Sequence, residues 1–202
     1  MTNYKEFENF LKSLDKRPKL LLHSCCGPCS TSVIELLSKY FDIDVYYYNP
    51  NIYPEDEFIK RKEEQKRLLS SLGIKYIEGE YDYNLFKEKT AGLEPEPEGG
   101  ARCKACINFR MEETSKYAKD NGYDFFTTTL SVSPYKNSKM INEIGYNLEK
   151  EYGVKYLYSD FKKKDGYKRS IELSNKYDLY RQDYCGCQHS LNYVKTVNKE
   201  LN

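Results

Sequence analysis

Hydrophobic and polar positions fall into blocks with two different periods. Short apolar runs at 19–23, 43–48, 74–78, 124–128 and 155–158, several rich in β-branched and aromatic residues, each predict a strand. Longer segments with helical spacing lie between them. Tyr4, Phe7, Phe10, Leu11 and Leu14 predict a leading helix over 4–15 laid against the core. Ser32, three residues before Glu35 and just ahead of Val33, Ile34, Leu36 and Leu37, reads as a capping box opening a second helix. A long polar helix is expected from about 55 to 72, closed by Gly73, after Pro54 ends the preceding strand. Further helices are predicted at 85–89, from Cys103 to about Asp120, at 138–152 before Gly153, at about 167–177, and at the end of the chain.

Strands that alternate with helices of this length imply βαβ crossovers and a mainly parallel five-stranded sheet covered on both faces. The expected fold is therefore α/β, with residues 1–202 forming a single domain. Three loops stand out within it. Residues 24–30 follow the first strand at its carboxyl end, where open α/β sheets place their ligands. The segment 90–106 carries Gly92, Pro95, Pro97, Gly99 and Gly100, too much loop for a mere connection. The third is 181–190.

Composition narrows the partners only slightly. Lys and Arg total 32 against 31 Asp and Glu, so the net charge of +1 makes no whole-chain case for nucleic acid or membrane binding. Any basic surface must be local, as in Lys60-Arg-Lys62, Lys66-Arg67 and Lys162-Lys-Lys164 with Lys168-Arg169. Such runs are ordinarily solvated helix faces, but around a crevice they would contact phosphates. No apolar h-region or bilayer-length stretch is evident, so no membrane association and a cytoplasmic location are expected. The 21 tyrosines read first as amphipathic filler, with base stacking as the alternative.

The seven cysteines change the picture, because all of them fall in the three loops. In a reducing compartment, clustered thiols bind metal or do redox work more often than they form structural disulfides. Cys25-Cys26 and Cys103-x-x-Cys106 can together close a four-thiolate site for zinc or an iron-sulfur cluster, and spacing alone leaves both open. Adjacent thiols diverge, which suits two irons of a cubane better than one tetrahedral ion. Cys26 and Cys29 offer an alternative knuckle. Cys185-Gly-Cys187 suits a strained, easily reduced disulfide or a metal-holding dithiolate. Asp82 and Asp183 are candidate carboxylate ligands or acids, and His23 and His189 are expected to be structural. There is no Gly-x-Gly-x-x-Gly, no Walker loop and no pyrophosphate loop.

Four motifs in order, His23-Ser-Cys-Cys-Gly-Pro-Cys29, Tyr48-Asn-Pro-Asn-Ile-Tyr-Pro54, Arg102-Cys-Lys-Ala-Cys106 and Tyr184-Cys-Gly-Cys-Gln-His-Ser190, resemble the QueH family of cobalamin-independent epoxyqueuosine reductases. The resemblance spans about residues 19 to 195. It implies reduction of epoxyqueuosine to queuosine at the wobble position of a tRNA anticodon, on a Rossmann-like three-layer sandwich shared with pyrophosphate-loop ATPases and adenylylsulfate reductases. It also implies a 4Fe-4S cluster on Cys25, Cys26, Cys103 and Cys106, with Cys185 and Cys187 as a redox-active, disulfide-capable pair. A mononuclear iron held by Cys185, Cys187 and an aspartate, Asp82 ahead of Asp183, belongs to the same expectation. Cobalamin is not expected, the electron donor is unidentified, and Cys29 has no assigned role. The competing readings are a thiol-disulfide oxidoreductase that needs no metal and a zinc-stabilised RNA-binding module. A cluster-bearing tRNA sulfuration enzyme would need ATP, and the missing pyrophosphate loop counts against it.

Overall fold

The computed structural model describes residues 1–200, with side chains through 194. Its centre is β1 (Lys19–His23), whose residues after Lys19 are all buried, as they must be in a strand covered on both faces. Around it run β2 (Asp42–Tyr47), β3 (Lys75–Glu78), β4 (Phe125–Thr128) and β5 (Lys155–Tyr156) in the order β3-β2-β1-β4-β5, with every pairing parallel. The five expected strands are therefore present, and the last is the shortest.

Side-chain alternation along β1 divides the core in two. Leu20 and Leu22 pack with Phe7 of α1 (Tyr4–Lys12), Val33, Ile34 and Leu37 of α2 (Gly27–Leu37) and Leu69 of α3 (Glu55–Leu72). Leu21 faces the other way. It joins Ile107 and Met111 of α5 (Ala101–Asp120), with Ile141, Ile144 and Leu148 of α6 (Ser138–Tyr152). Short α4 (Tyr83–Lys89) precedes the glycine- and proline-rich loop, α7 (Gly166–Lys176) lies against α2, and α8 (Gln188–Glu200) closes the described chain. Among the described residues no helix is long and apolar enough to cross a membrane.

The leading helix stops at Lys12, short of the expected 15. The larger difference is at α2, which begins at Gly27 and not near Ser32. Cys26 is its N-cap, accepting a bond from the Cys29 N–H at 3.4 Å, and Pro28 sits in the first turn, where its missing N–H costs nothing. Cys29 is thus a helical residue.

The strand order reverses its winding between β1 and β4. An open α/β sheet has a crevice at such a point, outside the carboxyl ends of its strands. Cys25 follows β1 there, and Thr129 follows β4.

Candidate functional site: a thiol-lined crevice

The floor of the crevice is fixed by short hydrogen bonds. Cys25 N–H donates to Thr129 Oγ1 at 3.3 Å, so the backbone after β1 is tied to the segment after β4. Ser24 Oγ lies 2.6 Å from Ser30 Oγ and 2.8 Å from Gln65 Oε1, which locks the turn between strand and helix. Cys25, Cys26 and Cys29 carry sulfur atoms that all lie within 4.8 Å of one another. Hydrogen bonds from Cys26 and Cys29 hold the Cys25 thiol well below its ordinary pKa, whereas burial raises Cys26 to about 12. Sharing bonds with Cys25 and Cys26 raises Cys29 as well. Crowding thus favours ionisation of Cys25 over that of Cys26 and Cys29.

A second group faces them. Cys103 and Cys106 open α5, and with Cys185 and Cys187 they line a cavity of about 20 Å³. The Gly99 N–H donates to Cys103 Sγ at 3.2 Å, so the loop before α5 wraps its first turn. Cys185 and Lys136 also line a larger cavity, of about 530 Å³, whose walls include Cys25 and Cys29. The seven thiols thus form two neighbouring groups that meet at Cys185, and all are free.

Residues 184–187 form the roof, and almost every bond that holds them comes from elsewhere in the chain. Tyr184 Oη donates to the Tyr53 carbonyl at 2.6 Å, and the Tyr53 N–H donates to the Gly186 carbonyl at 2.8 Å. Arg61 of α3, only 2% exposed and paired with Glu57 at 2.7 Å, reaches the carbonyls of Tyr184 and Cys185 at 3.4 Å each. Gly186 has φ +123°, and a Cβ there would stand 3.1 Å from the Arg61 guanidinium, so the position favours glycine. The Cys185 N–H donates to Ser190 Oγ at 3.2 Å.

Two buried cations supply the charge balance. Arg110 is 2% exposed, donates to Asn49 Oδ1 and the Cys106 carbonyl, and has no carboxylate partner among the described residues. Burial would lower its pKa, but the sulfurs of Cys106, Cys185, Cys25 and Cys187 face it and keep it charged. Burial likewise opposes the Lys136 ammonium. The Cys185 sulfur, 3.1 Å from Nζ, more than offsets that, and Glu98 lies 3.6 Å away. Cys106 is raised to about 11 by burial, with Arg110 pulling the other way.

These features fit a thiolate-held, anionic metal group. A buried guanidinium without a carboxylate partner, as at Arg110, calls for negative charge. Moreover, Asn51 Oδ1, Arg102 Nε and Gln182 Oε1 are buried polar atoms without partners, on residues that line the two cavities.

Asp82 goes elsewhere. Its carboxylate accepts the Leu85 N–H at 2.9 Å and caps α4, and it lines neither cavity. The residue follows a strand and precedes a helix, so capping is the job its position offers. Asp183 does line the larger cavity. His23 is structural as expected, bonded to Thr128 Oγ1 and the Tyr48 carbonyl and depressed to about 4 by burial. Residues that motif reading does not single out are Lys136, Glu98 and Arg110, and Arg61 enters there only within the basic run Lys60-Arg-Lys62. Only Arg110 leaves a sequence signal, since Arg102, Cys106 and Arg110 recur every four residues along one helix face.

The family model for epoxyqueuosine reductase QueH matches residues 20–193. An epoxyqueuosine reductase QueH of Staphylococcus epidermidis is 48% identical over 180 residues, covering 85% of this chain and 76% of the relative. That of Staphylococcus aureus is 45% identical over 197 residues, covering 91% and 82%. The Thermotoga maritima protein of the same name is 36% identical, covering 85% and 90%. Among solved structures, the U34-tRNA thiolase NcsA from Methanococcus maripaludis with its [4Fe-4S] cluster superposes with TM-score 0.55 at 15% identity, covering 98% of this chain and 70% of that one. That likeness shows the fold, an α/β sandwich around a parallel five-stranded sheet.

Proposed function

The chain belongs to the epoxyqueuosine reductase QueH family, and on that premise we propose how its own residues carry out the reaction. It is an oxidoreductase that acts on epoxyqueuosine in tRNA and returns queuosine. Both C–O bonds of the epoxide break, a carbon–carbon double bond forms, and the oxygen leaves as water, at the expense of two electrons and two protons.

The observation that carries the reading is the convergence of free thiols on two adjoining cavities at the switch point of the sheet, with Cys25, Cys106, Cys185 and Cys187 facing a buried guanidinium. A 4Fe-4S cluster on Cys25, Cys26, Cys103 and Cys106, beside a mononuclear iron on Cys185 and Cys187, would supply electrons singly and a Lewis acid for the epoxide oxygen. Cys29 would be a protein ligand to that iron in place of Asp82. Its thiol faces the cavity that Cys185 also lines, while the Asp82 carboxylate is engaged at α4.

The remaining roles fall to the polypeptide. The larger cavity has the size of a small-molecule site and receives the modified nucleoside, which leaves the base stack to reach it. Arg110 offsets the negative charge of the sulfurs, and Lys136 holds a positive charge against Cys185 at the junction of the two cavities. Thr129 fixes the Cys25 backbone, and Arg61 fixes that of Cys185. Residues 1–202 work as one α/β unit in the cytoplasm, without cobalamin, and take electrons from a separate donor. The test is anaerobic incubation of iron-loaded protein with epoxyqueuosine-containing tRNA and a chemical reductant, read by nucleoside mass. Queuosine should form with no cobalamin added, and its absence with a fully loaded protein would overturn the reading.

A further inference from the structure

Extruding one nucleotide from a loop leaves its neighbours without a stacking partner, so an enzyme that does this gains affinity by offering aromatic faces in exchange. Among the described residues, the exposed large hydrophobic side chains are Ile59, Tyr135 and Tyr193. Two of these three line the same cavity. Tyr135 is 84% exposed and Tyr193 is 67% exposed, so their rings stand at the mouth of the 530 Å³ cavity and not in its depth. Neither is placed there by the core.

The charges next to this mouth differ from those on the other basic runs. On α3, Lys62 and Lys66 pair with Glu78, Arg67 with Glu64 and Arg61 with Glu57, so that run is largely spent within the protein. The run 162–168 is not. Lys163, Lys164 and Lys168 are exposed, and no carboxylate pairs with them among the described residues. Lys162 Nζ donates to the Lys136 carbonyl at 2.7 Å, which ties this loop to the segment bearing Tyr135, and Tyr167 lines the cavity itself. Lys164 and Asp165 both adopt left-handed backbone, φ 52° and 60°. A Cβ at Gly166 would fall 1.9 Å from the Phe161 carbonyl oxygen. The loop is held in an uncommon conformation, and Lys163 and Lys164 are exposed in the segment that leads to Tyr167.

We propose that Tyr135 and Tyr193 form a stacking platform for the unpaired bases flanking the target nucleotide, with Lys163, Lys164 and Lys168 on the adjoining backbone phosphates. The occupant is a single-stranded RNA loop, because flat aromatic faces beside unpaired cations match unstacked bases joined by phosphates. The inference rests on the tRNA substrate proposed above and adds where the loop is gripped.

Binding without chemistry separates the two. An anticodon stem-loop RNA with ordinary guanosine at the target position is titrated into iron-loaded protein and followed by fluorescence anisotropy. Tyr135→Ala and Tyr193→Ala should each weaken binding about tenfold. Tyr135→Phe and Tyr193→Phe, which keep the ring, should stay within about twofold. Lys163→Ala with Lys164→Ala should lower the slope of log affinity against log salt by about 1.4. Circular dichroism and cluster absorbance identify any variant that has not folded, and the phenylalanine pair then carries the comparison with a Tyr135→Leu, Tyr193→Leu pair. A native protein that reduces epoxyqueuosine tRNA while both alanine variants bind the stem-loop normally sinks the platform alone. A native protein that binds the stem-loop through these tyrosines yet forms no queuosine leaves the platform standing and sinks the reaction. Loss of a dimer in the Tyr193→Ala variant, with RNA affinity unchanged, assigns the patch to a second copy and overturns the proposal.

Discussion

The floor and the roof of the crevice each present thiols to the same space, but they are positioned by different physics. The floor thiols Cys25, Cys26 and Cys29 ride on the end of β1 and the first turn of α2, held by a parallel ladder and a helix cap. Roof thiols Cys185 and Cys187 sit on irregular chain held by the Arg61 side chain of α3 and by the backbone of Tyr53. Regular secondary structure carries the first set, with the bond to Thr129 tying it across the sheet, whereas side-chain and loop hydrogen bonds alone hold the second. A change in the roof should therefore alter catalysis before it alters the fold, and a change in the floor should do the reverse.

The sharpest test of that contrast is a pair of serine variants. Cys25→Ser removes a proposed cluster ligand from the floor and should lose both the brown cluster absorbance and all turnover. Cys185→Ser should keep the absorbance and lose turnover. Iron and sulfide analysis after anaerobic purification, together with the tRNA assay, reads both. A fully active Cys185→Ser protein would show that the roof has no catalytic part.

Next in size is Arg61→Met. The change removes a buried cation from Glu57, itself 13% exposed, and releases two roof carbonyls. Leaving that carboxylate without its partner should cost about 3 kcal/mol in urea unfolding. Because the roof moves, turnover should fall on the order of a hundredfold, with iron content nearly intact. Equal losses of iron and turnover would mean that floor and roof are not separable.

Much of the fold is legible along the chain, and the reasons are local. β1 over 19–23, α3 over 55–72 closed by Gly73, and α6 over 138–152 closed by Gly153 follow from apolar runs and terminal glycines that mean the same thing in any context. The start of α2 is less legible. Ser32 and Glu35 look like a capping box, yet Cys26 caps the helix, since the thiol acts as acceptor only once the crevice has shaped the turn. The thiols announce the site, while its cations do not. Lys136 reaches Cys185 across 49 residues and Arg61 reaches it across 124, and no spacing rule records such contacts.

Asp82 illustrates the same limit and gives the third prediction. Its place after a strand suits a ligand and a helix cap equally, and only the 2.9 Å bond from the Leu85 N–H decides between them. Asp82→Ala should cost about 1 kcal/mol of stability while iron content is unchanged. Asp82→Asn, which still caps, should be nearly silent. Iron lost from a stably folded Asp82→Asn protein would return the carboxylate to the metal.

The smallest expected effect comes from the floor side and mirrors Arg61. Arg169 of α7 donates to both carboxylate oxygens of Glu35 on α2, at 2.7 and 2.8 Å, so this too is an arginine–glutamate pair bracing an element that carries thiols. The difference is solvent, because the two side chains are 45% and 42% exposed. The hydrogen bond from Arg169 lowers the Glu35 pKa below its ordinary value. A carboxyl lowered on folding adds stability above its unfolded value of about 4.3 and loses it as pH falls through the lowered folded value. Screening keeps the contribution under about 1 kcal/mol. Glu35→Gln should therefore cost little at neutral pH, and the gap from the native chain should close as pH falls through the lowered Glu35 value and shrink in about 1 M salt. The same assays applied to Arg61→Met should show a gap that persists in salt, because Arg61 is buried and Glu57 only 13% exposed. If the two variants respond alike to salt, burial is not what distinguishes the brace of the roof from the brace of the floor, and the division drawn between them fails.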